Sequence, residues 1–321
     1  MQNKGNYQKQ PNTGALFGEM TVAKASGLSF SVVAILPTVL FIIVGIILSC
    51  FGLTGEGYEK TQWYLYLQYV LSQISFGLIA LFWLYSTKKP LKRAVKAQKC
   101  APKYYVIALL LQVGLLFLSQ LNGWFVAFLE KLGYPQTPPS IPNLQGCGFF
   151  FATVAIALLP ALFEEIFFRG VLLKGLRGFS KAGVILLCGG LFALYHQNPA
   201  QTLYQFCCGV AFALVAVKAG SIFPTVLSHF LNNFFILLLE KQGVSSFSPT
   251  VTAWIFALSF VCLVGTFVYL LAFDKNDKKP NGQVLSEKEK KNERKNFLVY
   301  SAFGVLVCAL VWVVALFGVG K

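Results

Sequence analysis

The sequence predicts an all-α fold, a polytopic transmembrane helical bundle, and three observations predict it. Hydrophobic residues make up 56% of the 321 positions and charged residues only 12%, with a mean hydropathy of +0.65, outside the range of soluble domains. Nine apolar runs each approach the ~20 residues that a ~30 Å hydrocarbon core requires. No short segments of alternating polarity, as a membrane β-barrel would show, interrupt them, and lipid does not tolerate unpaired backbone, so the runs are helices. A soluble enzyme or a disordered chain carries more charge and fewer than 31 Phe, and both classes are excluded.

Taken in order, residues 1–28 form a polar tail containing Gly, Asn, Gln and Lys. The tail lacks the pattern of a cleaved signal sequence, so the first span is expected to be an uncleaved anchor. Spans follow at about 29–53, 62–86 and 104–129, then 149–172, 182–197, 201–218 and 222–240, and then 251–273 and 298–319, the fifth and sixth being short. Residues 29–273 are thus a membrane-embedded bundle, with 149–240 holding every polar motif discussed below. The charged stretch 274–297 reads as a hydrated linker and 298–321 as a C-terminal anchor.

The net charge of +15 is a topology signal, with nucleic acid expected to play no part. All Lys and Arg except Lys60, Lys131, Lys241 and Lys321 fall in alternate loops: the N-terminal tail, 88–103, 169–181, Lys218 and 275–295. Cations flanking spans stay on the cytoplasmic side, which puts the N-terminus inside and the C-terminus outside. The eight cysteines form no CxxC pair and lie mostly in apolar runs, where a thiol behaves as a small hydrophobe.

The informative residues are polar groups stranded in apolar runs, because an ionisable group in hydrocarbon is costly and marks function. The only acidic residues well inside a span are Glu164 and Glu165. Both histidines of the chain, His196 and His229, are intramembrane as well. Residues four apart share a helix face, so Glu165 faces Arg169 as an ion pair and leaves Glu164 on another face. His229 and Asn233 share a face in the same way, with Asn232 nearly as close. At ~1.5 Å per residue, Glu164 and His196 both stand roughly 20 Å above the turn at 176–181. His229 stands only about 12 Å above the turn at 219–221. Its helix must therefore tilt, or start deeper, for the three groups to meet.

A carboxylate and two imidazoles in a dry pocket suit hydrolysis, with the carboxylate taking a proton from water and His or Asn donors stabilising the oxyanion. Glu164, His196 and His229 are also residue types that ligate zinc, although HExxH is absent. Spacing leaves metal-activated and glutamate-activated water both open, and nothing requires a further cofactor. Taken singly, each histidine or Asn233 reads as a polar contact between helices.

The three motifs in order, EExxxR at Glu164, Glu165 and Arg169, FxxxH at Phe192 and His196, and HxxxN at His229 and Asn233, resemble the CPBP family of intramembrane proteases, also called the CAAX-protease or Abi family. The resemblance covers about 149–240 and includes Gly170 and the lead-in Gly220, Ser221, Pro224 and Thr225. It implies that Glu164 is the general base, aided by His196, that His229 and Asn233 form the oxyanion site, that Glu165 and Arg169 are structural partners and that Phe192 shapes the pocket. The substrate implied is a membrane-associated peptide or lipidated protein. The family includes prenyl-protein endopeptidases and bacterial proteins linked to bacteriocin maturation or self-immunity, and its members have been described both as metalloproteases and as glutamate-dependent enzymes. The rival expectations are an immunity or scaffold factor that binds a peptide without cleaving it, and a proton-coupled transporter, for which an inverted repeat is missing.

Overall fold

The computed structural model describes residues 20–87, 94–135, 140–244, 247–276 and 285–318. Much of the expected N-terminal tail, part of the basic 88–103 loop and residues 277–284 of the charged stretch lie outside the described residues. Nine main helices lie among the described residues: α1 (Val22–Cys50), α2 (Gln62–Thr87), α3 (Lys103–Lys131), α4 (Gly148–Gly178), α5 (Lys181–Tyr195), α6 (Thr202–Ala219), α7 (Phe223–Lys241), α8 (Pro249–Phe273) and α9 (Glu287–Leu316).

Local sequence sets their ends. Thr21, Ser180 and Ser248 each cap the first turn of α1, α5 and α8 through the side-chain oxygen, and Ser286 with Glu289 forms a reciprocal capping box on α9. Gly220 closes α6 in the left-handed region, φ 64°, a conformation that costs glycine nothing and allows an immediate turn into α7.

Eight of the nine helices are long and apolar enough to cross a membrane. The exception is α5, which corrects the expectation of a full span at 182–197. Its 15 residues reach about 22 Å, short of a ~30 Å core. A second difference lies at the C-terminal end. The expected linker 274–297 is helical from Glu287 onward, because the capping box starts α9 three turns before its apolar stretch.

In lipid, helix association comes from close packing and interhelical hydrogen bonds rather than from expulsion of water. Accordingly α1 and α9 cross at small residues, with Gly27 against the Phe297 carbonyl and Gly304 against Ser31. The Ser31 hydroxyl donates to Tyr300 O at 2.7 Å, and Arg177 at the end of α4 grips Glu293 of α9 in a bidentate pair at 2.9 and 3.0 Å. On the other side α8 lies along α3, and α5 and α6 form an antiparallel hairpin. Helix α4 runs through the centre, touching α2, α7 and α1. It contains two π-helical stretches, Thr153–Leu158 and Ile166–Leu172, which bracket Glu164 and Glu165, a distortion that is frequent at functional sites.

Candidate functional site

Four helices supply one buried polar cluster. Glu164 and Glu165 come from the α-helical turn of α4 between its two π stretches, and both are buried. Arg169, with no exposure to solvent, donates to Glu165 Oε1 at 2.7 Å and to the Gly209 carbonyl of α6 at 3.1 Å. The guanidinium lies over the rings of Phe192 and Phe212, 4.6 and 5.3 Å from their centroids. Gly209 also lets α6 lie close against α5, since a Cβ there would stand 2.8 Å from the Cα of Gly189.

The second ligand of Glu165 is His229. Its Nδ1 lies 3.0 Å from Glu165 Oε1, and because a carboxylate only accepts, Nδ1 carries the hydrogen and Nε2 points elsewhere. Nε2 stands 4.0 Å from Glu164 Oε2, an oxygen with no hydrogen-bond partner among the described residues. The other oxygen of Glu164 accepts from Gln73 Nε2 of α2 at 3.2 Å.

His196 follows the last residue of α5, and its Nδ1 sits 2.7 Å from the Phe192 carbonyl. That acceptor fixes the tautomer in the same sense, leaving Nε2 of this imidazole free of the helix. Phe192 is the wall common to the cluster, its ring centroid 4.7 Å from that of His196 and 6.1 Å from that of His229. Asn233 donates to the Ile156 carbonyl at 3.1 Å and accepts from Asn232 at 3.2 Å. Asn232 in turn accepts from Tyr204 at 2.5 Å and Gln112 at 3.4 Å.

Glu164, His196, His229, Asn232, Asn233 and Phe192 all line one cavity of about 790 Å³, with Gln73, Tyr204 and part of α1 completing the wall. The structure thus brings the four sequence candidates to one space. It sets Glu165 and Arg169 behind them, joined to the cavity through His229.

The depth mismatch expected for His229 is removed by the segment before α3. Val95 packs on Gly170 of α4, where any Cβ would come within 2.7 Å of the Val95 Cβ. From there Lys96 O accepts from Ile222 N, the Gln98 amide donates to Gly220 O at 2.8 Å and Ser221 donates to Gln98 O. The start of α7 is therefore held at the level of Gly170 and not at the end of α4. From Gly170 to Glu164 is about 9 Å, and from Ile222 to His229 about 10 Å, so the two side chains meet.

The loop after α5 ends inside the bundle, and its backbone is satisfied there by protein, as lipid depth demands. Asn122 of α3 donates to Ala200 O at 2.9 Å and accepts from Tyr204 N at 3.2 Å, while Tyr134 donates to Asn198 at 3.2 Å. From α9, Trp312 donates to Thr202 at 2.7 Å, and Gln197, which adopts φ 52°, donates to Cys308 Sγ at 3.4 Å.

Among the described residues no three His, Cys, Asp or Glu side chains are grouped closely enough to hold a metal ion. Glu164, His196 and His229 line the same cavity, with Nδ1 of each imidazole engaged and Nε2 of each left open.

Sequence reasoning singled out the titratable groups with Asn232 and Asn233, and passed over two buried glutamines. Gln73 and Gln112, polar residues in apolar runs, were open to the same test of cost in hydrocarbon. The link from Glu165 to His229 had no sequence signal, because it joins residues 64 positions apart.

A multi-pass membrane bundle with a buried carboxylate and imidazole cluster at its centre is the class that fold and site define. Residues 146–235 match the family model described as "Type II CAAX prenyl endopeptidase Rce1-like". That segment is 90 of the 321 residues, and over it the chain is similar to the CAAX-protease, or CPBP, family of intramembrane endopeptidases. No curated protein and no solved structure matches it.

Proposed function

We propose that this protein is an intramembrane endopeptidase that hydrolyses a peptide bond of a membrane-associated or prenylated substrate, with water as the nucleophile and Glu164 as its general base. The observation that carries the reading is the 4.0 Å separation between His229 Nε2 and the unpartnered Glu164 Oε2 on the wall of the cavity. That gap is too long for a direct hydrogen bond, yet one water about 2.8 Å from each atom bridges it at an angle near 90°. Glu164 then accepts the proton as the water oxygen attacks the carbonyl carbon. The negative charge passes to the carbonyl oxygen, and the proton goes on to the leaving amine.

The imidazoles have complementary parts. His229, held through Nδ1 by Glu165 and hence by Arg169, orients the water and, when protonated, offers Nε2–H to the developing oxyanion. His196 presents its free Nε2 to the same space. Asn233 has a second amide hydrogen beyond the one given to Ile156, and this is the oxyanion donor the reading assigns to it. In this reading the N-terminus and the 94–99 segment are cytoplasmic, which the alternation of basic loops supports.

The test is cleavage of a farnesylated peptide by the purified protein in liposomes, with products identified by mass spectrometry. Loss of the C-terminal residues with the wild type, and intact peptide with Glu164→Ala, is the expected result. An equally active, folded Glu164→Ala protein would leave only the peptide-binding, immunity-type role.

A further inference from the structure

The strongest unexplained feature outside residues 146–235 is Gln73 in the middle of α2. It is 6% exposed, and its Nε2 donates to Glu164 Oε1 at 3.2 Å while its own Oε1 has no hydrogen-bond partner among the described residues. The orientation of the amide follows from its neighbour, since a carboxylate offers only acceptors and turning the amide over would set oxygen against oxygen.

A buried amide with half of its capacity unmet is a poor choice for stability. Replacing it with an apolar side chain of the same shape removes an unsatisfied acceptor but leaves Glu164 Oε1 without its donor, so the amide is bound up with the carboxylate it serves. What the amide does accomplish is geometric. It occupies Oε1 of Glu164 and so leaves Oε2, the oxygen facing His229, as the one available to a proton. We propose that Gln73 is a positioning residue of the peptidase site, contributed by a helix outside the family segment, which orients the Glu164 carboxylate so that Oε2 is its basic atom. This rests on the reading of Glu164 as general base.

Two readouts separate positioning from mere packing. In Gln73→Met, which keeps length and loses the donor, kcat for the farnesylated peptide is expected to fall about 10-fold or more through misplacement of the base, with KM little changed. Rates are compared well below both unfolding midpoints, so that stability lost with the hydrogen bond to Glu164 does not enter them. In the second readout the same substitution is made in a Glu164→Gln background, where no base remains to be oriented. There Gln73→Met is expected to leave the residual rate unchanged, so that the two losses do not add. Gln73→Glu, which sets a second carboxylate against Glu164, is expected to lose more than Gln73→Met.

Equal losses from Gln73→Met in both backgrounds, or a loss carried by KM with kcat unchanged, overturn the positioning role while the reading of Glu164 stands. A Glu164→Gln protein as active as the wild type overturns both.

Discussion

Arg169 is a guanidinium with no exposure to solvent, and what neutralises it is Glu165 one helical turn away. Removing one partner of such a pair strands the other charge in a medium that cannot solvate it. Arg169→Met is therefore expected to destabilise the protein by about 3–5 kcal/mol, while Glu165→Gln with Arg169→Met together costs less than the sum of the singles. Thermal unfolding of the four proteins in one detergent checks both statements. The same residues show what was legible at this scale. Helical spacing alone paired Glu165 with Arg169 and left Glu164 on a different face. It could not reveal that Glu165 also holds His229, because that contact is made by chain folding and not by local periodicity.

Among the elements, α7 depends on a neighbour that carries no catalytic motif. Its first turn is set at the depth of Gly170 by hydrogen bonds to Lys96 and Gln98. Gly170→Leu is expected to push the Val95 segment away and lower cleavage on the order of 10²-fold by displacing His229. Gly190→Ala, whose added Cβ meets nothing within 4 Å, should leave the rate within about 2-fold.

A second element-level device sits where α8 ends. Asp274 accepts from Lys103 Nζ at 2.9 Å, from Tyr104 at 2.8 Å and from Asn276 N at 3.1 Å. Burial alone would raise the Asp274 carboxyl, but these donors outweigh it and hold the group below its ordinary value. A depressed carboxylate stabilises the fold at pH above its unfolded value, and that contribution disappears as pH falls through the folded one. The wild type should lose more of its unfolding temperature than Asp274→Asn does on acidification from neutral pH to below the usual carboxylate range. Parallel acid profiles for the two proteins would contradict this.

At the scale of the whole molecule, composition and run length gave the helical bundle, and the failures have physical causes. The fifth run has enough apolar residues to resemble a span, but its last turn is occupied by the FxxxH motif, and the chain turns at His196 to face the cavity. That leaves a 15-residue helix whose loop backbone is paired by α3 and α6. The start of α9 was missed because its first turns are charged, and charge alone does not separate a hydrated linker from a capped helix that grips Arg177. The orientation implied by the basic loops has its own expected outcome. In intact cells or right-side-out vesicles, a single cysteine replacing Lys131 should react with an impermeant thiol reagent, and one replacing Lys181 should react only after permeabilisation. The opposite labelling would invert the topology without moving the site.

The central claim is that one carboxylate, Glu164, takes the proton of the attacking water. The most direct measurement is the cleavage rate of a farnesylated peptide by wild type and Glu164→Gln, purified and compared in the same liposomes at matched thermal stability. Gln keeps the shape and the contact with Gln73 but not the basicity, so a fall on the order of 10²-fold or more is predicted. Equal rates from two equally folded proteins would contradict it.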